Sequence, residues 1–378
     1  MKKGYLLTPG PTAVPPEVLL EMAQPIFHHR TPRYMELAQR VNEQLQYVFQ
    51  TKCPVLTLAA SGTGAMEASV VNTLAPGDKA LVVKGGKFGE RWGQICRAFG
   101  IETKEIDVEW GRAVEPGTIG RELARDPGIR AVFVTHCETS TATATDIEAV
   151  GAAVAKTDAI VVVDAISALG AMKCLTDVWK LDIVVTGSQK ALMMPPGLAF
   201  LSVSDKAQDR IRATERPAYY FNLAKALAGY AQGDSPYTPA VTLVVGLAKA
   251  LSMIAERGIE RVWEESALQA TACRAAAKRL GLEVFSKAPA DSVTAITLPE
   301  GLDGNKLVKR MRDHYGVDVA GGQDQLKGKI VRIAHMGYVG TFDLVVAIAA
   351  LEMALVDAGV PVALGQGVGA VQETLRGR

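Results

Sequence analysis

Lys190 closes the stretch DIVVTGSQK, standing one Gly-Ser-Gln turn beyond an apolar run that reads as a buried strand. A desolvated amine at such a point has a lowered pKa and becomes a nucleophile toward carbonyl carbon; a solvated surface lysine fits the same position. Earlier in the chain, VVVDAISALG places Asp164 directly after four apolar residues. A carboxylate there is costly to bury without a cation, although it also fits a cap on the following turn. Further upstream, in AASGTGAMEAS, Ser61-Gly62-Thr63-Gly64 follows a strand and opens a helix near Ala65. Glycines let the backbone approach an anion, first-turn amides point toward it, and the Ser61 and Thr63 hydroxyls add donors. A plain tight turn is the alternative, because the stretch matches neither GxxxxGK[ST] nor a full GxGxxG. A fourth strand end, THCETSTATATD, carries His136, Glu138 and a run of hydroxyls between Thr135 and Thr145.

Together these ends ask for one ligand bearing a phosphate, a basic ring nitrogen and an aldehyde. Pyridoxal 5′-phosphate has all three. Lys190 would bond the aldehyde, Asp164 would keep the ring nitrogen protonated, and the helix start after Ser61 would hold the phosphate.

The elements that must position these residues follow from the hydrophobic pattern. VLTLAA (Val55 to Ala60), ALVV (Ala80 to Val83), AVFVTH (Ala131 to His136), AIVVVDA (Ala159 to Ala165), DIVVTG (Asp182 to Gly187) and LAFLSV (Leu198 to Val203) read as strands, most of them separated by helical stretches. Continuous apolar runs imply a mainly parallel sheet with both faces covered by helices, an α/β architecture. Ligands in such sheets sit beyond the carboxyl ends of the strands, where all four chemical stretches lie. From Gly258 to Gly281 the pattern predicts one long amphipathic helix, followed by EVFS, VTAITLP, a helix near Lys306 to His314, KIVRIAHMG and a final helix over about Phe342 to Asp357. Gly229 to Pro239 reads as the loop before the helix that links two lobes. The chain thus divides into an N-terminal segment 1–16, a large domain 17–257 and a smaller C-terminal α/β domain 258–378. Gly365 to Arg378 fits a loose tail or a short helix.

The 378 residues suffice for a sizeable core. Forty-one basic against 40 acidic residues leave a net charge of +1, so no general field attracts nucleic acid, a membrane surface or polyanions. Five scattered cysteines with no CxxC pair read as reduced thiols of a cytoplasmic protein and not as a metal site or disulfide scaffold. The longest apolar run, Leu344 to Leu351, has eight residues, far short of the roughly 20 that span a bilayer. The adjacent His28 and His29 point apart and lack a third ligand nearby, so packing or plain surface suits them better than metal.

The order SGTGAMEA, GGKFGERWG, HCETST, VVVDAISALG and GSQKAL resembles the class V aminotransferases of pyridoxal-phosphate fold type I, most closely the alanine–glyoxylate and serine–pyruvate group. The likeness runs from LLTPGPTAVPPEV to KIVRIAHMG. It implies Lys190 as the Schiff-base lysine, Asp164 as the ring-nitrogen partner, and Ser61, Gly62, Thr63 and Gln189 around the phosphate. Phe88 takes the place of the aromatic that stacks on the cofactor ring, and Thr139 that of a hydroxyl near its phenolic oxygen. Tyr237 and Thr238, in DSPYTPAV, would reach the phosphate site of a neighbouring subunit, so that a homodimer completes the active site. Arg332 in VRIAHMG resembles the arginine that binds the substrate carboxylate, for which a planar fork is well shaped. Gly10 in TPGPT falls where the family's N-terminal segment closes over the substrate. The family often has glycine after the hydroxyl run, whereas here Ala142 follows Thr141.

The resemblance therefore implies a transaminase that moves the amino group of a small amino acid, alanine or serine, to glyoxylate or pyruvate. Aspartate and 2-aminoethylphosphonate transaminases share the motif set and stay open. A cysteine desulfurase needs a mobile cysteine in the carboxyl-terminal half, whereas Cys273 falls within a predicted helix. A nucleotide-dependent dehydrogenase would show an acidic residue about 20 residues after the glycine turn; the second strand ends instead in Lys84-Gly85-Gly86.

Overall fold

The computed structural model describes residues 3–214 and 218–377. Its central sheet has seven strands in the spatial order Val55–Leu58, Ala199–Val203, Ile183–Gly187, Ile160–Asp164, Ile129–Thr135, Lys79–Lys84 and Glu102–Asp107. Ala199–Val203 runs antiparallel to both neighbours, and all other pairings are parallel. Alternation along a strand sends successive side chains to opposite faces. Val161, Val163 and Val184 therefore join one core with the helices Pro32–Phe49, Pro116–Arg125 and Val241–Arg257, while Ile160, Val162 and Val185 join another with Gly62–Thr73 and Lys87–Ala98. Two buried faces explain why these strands read as unbroken apolar runs.

The edge strand Glu102–Asp107, sequence ETKEID, is absent from the sequence expectation. Every position in it is exposed or half-buried, and its Glu105 pairs with Lys84 at 2.7 Å and with Arg97 at 2.5 Å. An edge strand has fewer neighbours to satisfy and tolerates charge, so hydropathy does not reveal it.

A second, antiparallel sheet orders Glu283–Val284, Val293–Thr297, Ile330–Ala334 and Ala320–Gly321. The helices Ile259–Arg279, Gly304–Tyr315 and Thr341–Asp357 pack with it into a core of their own. The break between the two long helices Val241–Arg257 and Ile259–Arg279 falls at Gly258, at φ 82. The final residues form a helix, Gln366–Arg376. It is anchored by the buried Glu352 carboxylate, which accepts the amides of Gly365, Gly367 and Val368 at 2.8, 2.6 and 3.2 Å. No described helix is long and apolar enough to cross a membrane.

One segment ties the second sheet to the first. Tyr5–Leu6 pairs parallel with Val317–Asp318, and Leu7 accepts from the Ala334 amide at 2.9 Å. The chain then crosses to Thr12, whose amide donates to the Gln189 carbonyl at 3.0 Å and whose hydroxyl donates to the Lys190 carbonyl at 2.8 Å. Residues 7–12 thus form a strap over the carboxyl end of the central sheet.

Helix Lys87–Ala98 approaches its strand so closely that a Cβ on Gly89 would sit 2.6 Å from the Val83 carbonyl oxygen and 3.2 Å from the Lys84 Cα. Both are backbone atoms that cannot swing aside. Gly89→Ala should therefore cost about 1–3 kcal/mol, whereas Gly369→Ala, with open space around it in the last helix, should gain roughly 0.5–1 kcal/mol. Urea unfolding of the two variants measures the contrast, and equal midpoints would show that the helix has room to shift.

Candidate active site

Asp164 ends its strand in register with Thr135 on one side and Val185 on the other. It is 3% exposed and accepts one hydrogen bond, from the Ile166 amide at 2.9 Å. Burial pushes its carboxyl up to about 7, with a further push from nearby Glu138 and a partial offset from Arg91 and Lys190. Such a carboxylate lacks the cation that would make its charge comfortable.

Lys190 follows one strand over, beyond the turn Ser188-Gln189. Burial lowers its amine to about 8, against the opposing pull of Asp164. Its Nζ donates to the Pro9 carbonyl of the strap. Gly10, at φ 122, packs directly on the lysine side chain, leaving no room there for a Cβ. The strap thereby holds the amine at the mouth of a cleft.

That cleft is lined by Ser61, Gly62, Thr63, Phe88, Arg91, Thr139, Asp164, Ser167, Gln189 and Lys190. Ser61 takes the N-cap position of helix Gly62–Thr73, yet its side chain makes no capping bond, which leaves the hydroxyl free. The first amides of a helix lack intrahelical partners and favour anions. A Cβ on Gly62 would meet the Ile166 side chain at 2.5 Å, so a larger residue there would have to turn Ile166 aside. The Thr139 hydroxyl donates to Ser167 at 2.6 Å.

Arg332, 5% exposed, stands on strand Ile330–Ala334 of the second sheet. Its Nε and Nη2 donate to the Gly321 carbonyl at 3.0 and 2.8 Å, and its Nη1 donates to the Thr139 carbonyl at 2.7 Å. Those three bonds fix the guanidinium beside the cleft and leave two of its five N–H groups uncommitted. Burial draws its pKa down to about 10, and Glu138 opposes that shift.

Glu138, in sequence one polar residue among the hydroxyls of its loop, is an organiser of the site. Its carboxylate accepts the amides of Phe88, Gly89 and Ser140 at 3.0, 2.9 and 3.1 Å and the Ser140 hydroxyl at 2.5 Å. It caps the helix that carries Phe88 and at the same time shapes the hydroxyl loop. That loop is the short hairpin Cys137–Glu138 and Thr143–Ala144. It turns through Ala142 at φ 56, so the alanine occupies the left-handed conformation that suits a glycine.

Arg91, Ser167 and Pro9 are further lining or contacting residues that sequence reading did not single out. Spacing could have flagged Arg91, three residues after Phe88 on one helix face. Within a single chain Tyr237 and Thr238 lie outside the cleft, along a separate groove with Tyr34, Tyr220, Phe221 and Tyr230. Tyr237 stacks on Tyr220 at 5.3 Å and donates its hydroxyl to the Tyr219 carbonyl at 2.6 Å. His28 and His29 do not point apart as expected: their rings lie tilted with centroids 4.8 Å apart. Among the described residues no three His, Cys, Asp or Glu side chains gather as a metal site.

The residues fit pyridoxal 5′-phosphate. A buried carboxylate short of a cation suits its ring nitrogen, a free N-cap hydroxyl and helix start suit its phosphate, and a desolvated amine suits its aldehyde.

Comparison with known proteins agrees. Residues 4–339 match the family model described as aminotransferase class-V. A protein of Anabaena cylindrica named soluble hydrogenase 42 kDa subunit is 39% identical over 362 residues, 94% of each chain. An L-aspartate–glyoxylate aminotransferase of Paracoccus denitrificans is 36% identical, covering 98% of this chain and 96% of its own. A serine–glyoxylate aminotransferase of Methylorubrum extorquens is also 36% identical, covering 99% and 96%. The solved ureidoglycine–glyoxylate aminotransferase of Bacillus subtilis, 28% identical, has a TM-score of 0.95 over 100% of this chain and 99% of its own.

The two shifted groups make the cofactor-free protein sensitive to pH. Asp164 is raised from 3.8 to about 7, so its contribution to stability is present below pH 4 and is lost as pH rises to 7. Lys190 is lowered from 10.5 to about 8, so its contribution is present above pH 10.5 and is lost as pH falls to 8. Lys190→Met should accordingly stabilise the cofactor-free protein at pH 7 and flatten the part of the stability curve between pH 8 and 10.5. Urea unfolding across that range tests this. A curve for the variant parallel to that of the unaltered protein would place the lysine in solvent.

Proposed function

The chain belongs to the class-V aminotransferases, and from that premise we propose that it transfers the amino group of serine or alanine to glyoxylate or pyruvate. The observation that carries the reading is the convergence of Asp164, Lys190 and the Ser61–Thr63 helix start on one cleft beneath the strap. When bound, pyridoxal 5′-phosphate supplies an aldehyde to receive the amino group and a ring to accept the electrons left when the Cα proton departs.

The protein's own residues do the rest. Asp164 would hold the ring nitrogen, and a cation there would draw its pKa back toward the ordinary carboxylate range. Lys190 Nζ, held near 8 by burial, has an appreciable neutral fraction at neutral pH and is the general base for the substrate Cα–H; once protonated it returns the proton as general acid. The carboxylate of the substrate finds the two uncommitted N–H groups of Arg332. Phe88 would give the ring a flat apolar wall, and Thr139 and Ser167 would supply hydroxyls for its phenolic oxygen. The strap excludes water from above, because Pro9 and Gly10 lie directly on the lysine.

Two features support small substrates. The cleft beneath the strap must house the cofactor as well as the substrate, and Arg332 is the one carboxylate-binding fork that we assign. The names of the Paracoccus and Methylorubrum relatives both include glyoxylate as acceptor, which supports that oxo acid here. The family and fold leave the dehydrogenase alternative without support.

We further propose a homodimer in which Tyr237 and Thr238 of one copy complete the phosphate site of the other, since within one chain they lie outside the cleft. The same reading divides the chain into a strap segment 1–16, a cofactor-binding unit 17–257 and a smaller unit 258–378, with the break at Gly258. The five cysteines are unpaired, which supports a reducing, cytoplasmic setting.

Borohydride treatment of the protein loaded with pyridoxal 5′-phosphate should fix the cofactor to Lys190, as read by peptide mass. Lys190→Ala should lose both this mark and at least about 1,000-fold of turnover, the scale of a lost acid–base group. Stopped-flow mixing with single amino acids should bleach the visible band rapidly with serine or alanine and slowly with glutamate. A rapid response to aspartate alone would move the donor to a dicarboxylic acid, and attachment at any other lysine would sink the site.

A further inference from the structure

Arg91 stands on helix Lys87–Ala98 one turn after Phe88, so the two residues share a face. Its guanidinium lies 4.9 Å from the centre of the Phe88 ring, and its Nη1 donates to the Thr63 hydroxyl at 3.1 Å. The side chain therefore reaches from the aromatic wall of the cleft to the glycine-rich turn opposite, and it lines the same cavity as Ser61, Gly62 and Gln189.

Its charge has nothing to neutralise it. On the same helix Lys87 pairs with Asp324 at 2.7 Å and Arg97 pairs with Glu105 at 2.5 Å. Among the described residues no carboxylate stands within ion-pair distance of Arg91, whose one polar contact is the neutral Thr63 hydroxyl. The nearby carboxylate of Glu138 is committed to the amides of Phe88 and Gly89 and to Ser140. An arginine kept against an aromatic ring at the rim of a largely buried cleft, without an acid, is placed for an anion that arrives from outside the chain.

We propose that Arg91 is a cofactor-binding residue that pairs with the phosphate of pyridoxal 5′-phosphate alongside Thr63 and the start of helix Gly62–Thr73. The physical need is one of charge. A phosphate monoester carries about −1.5 to −2 at neutral pH, whereas a helix start offers the equivalent of about +0.5, and the hydroxyls of Ser61 and Thr63 carry no net charge. A guanidinium provides a full positive charge and two donors in one plane, which suits a phosphate edge. Arg91 also acts on the chemical centre at a distance: its charge favours ionised Asp164 and disfavours protonated Lys190. Phosphate bound beside it would offset that field, coupling occupancy of the phosphate site to the protonation of both groups.

The proposal rests on the cofactor reading above, and the experiment separates the two. Cofactor-free protein, Arg91→Gln and Arg91→Lys are each titrated with pyridoxal 5′-phosphate and, in parallel, with pyridoxal, which lacks the phosphate. Visible absorbance reads binding, and far-ultraviolet circular dichroism confirms that each variant is folded. Arg91→Gln should weaken binding of the phosphorylated cofactor by about 10- to 100-fold while leaving pyridoxal within about twofold, and Arg91→Lys should recover part of the loss. Inorganic phosphate should compete with pyridoxal 5′-phosphate less well in Arg91→Gln than in the unaltered protein. This last comparison still decides the matter if the pyridoxal signal is weak.

Unchanged affinity for the phosphorylated cofactor would overturn the proposal. If it came with a raised KM for a dicarboxylic substrate, it would assign Arg91 to the substrate; if it came with weakened self-association, it would assign Arg91 to a contact between copies. Equal losses for pyridoxal and its phosphate would also overturn it, reducing Arg91 to a support for the Phe88 ring. Failure of the unaltered protein to bind pyridoxal 5′-phosphate at all would instead remove the cofactor reading itself.

Discussion

A carboxylate at the buried end of a central strand, with one amide for company, is the constraint around which this molecule is arranged. Asp164 sits where burial favours the neutral acid, and no described lysine or arginine lies within ion-pair distance of it. Leaving a charge so poorly solvated costs stability, and the chain accepts that cost at the one place where a ring nitrogen can compensate it. Lys190 is strained in the complementary sense, an amine kept partly neutral by the same burial. Both groups line one cleft in which burial leaves neither charge well solvated. Such opposed perturbations are a recurrent mark of sites that carry chemistry.

The surrounding structure is devoted to keeping these groups dry and in place. The strap from Leu7 to Thr12 is tied at one end to the second sheet and at the other to the backbone of Gln189 and Lys190. The strap therefore joins Lys190 to the backbone of the strand that carries Arg332, whose guanidinium is pinned separately to the Thr139 and Gly321 carbonyls. Glu138 performs a similar service on the far side, where it caps the Phe88 helix and fixes the hydroxyl hairpin. Two helices begin at the cleft, those starting at Gly62 and Lys87. The first offers its start to an anion, and the second has its start already satisfied by Glu138. That asymmetry indicates which helix is open for a phosphate and leaves the second to present Phe88 and Arg91.

Some of this was legible in the residues alone. The strands Ile160–Asp164 and Ile183–Gly187 announced themselves because burial on both faces demands unbroken apolar runs, and the polar residue that ends each run stood out against them. The glycine-rich start of helix Gly62–Thr73 is readable because glycines and hydroxyls between a strand and a helix suit an anion. Strand Glu102–Asp107 was hidden because an edge position tolerates charge. The final helix was undecided because its anchor, Glu352, lies on a different element. Glu138 was noticed only as one polar residue in a loop, since nothing local shows that its partners are amides some 50 residues earlier.

The sequence by itself determined the class of sheet, the four strand ends that carry chemistry and the kind of ligand that would satisfy them together. These depend on local patterning and on the types of groups a cofactor requires. Only the tertiary structure decided which groups meet. It set the Pro9 carbonyl on Lys190, Arg332 against the Thr139 carbonyl, and Arg91 between Phe88 and Thr63, and it left Tyr237 and Thr238 outside the cleft of their own chain. Distances between residues far apart in sequence, and the desolvation that shifts Asp164 and Lys190 toward each other, arise from packing three layers of structure around one sheet. No stretch of residues contains that information in isolation, because burial belongs to the fold as a whole.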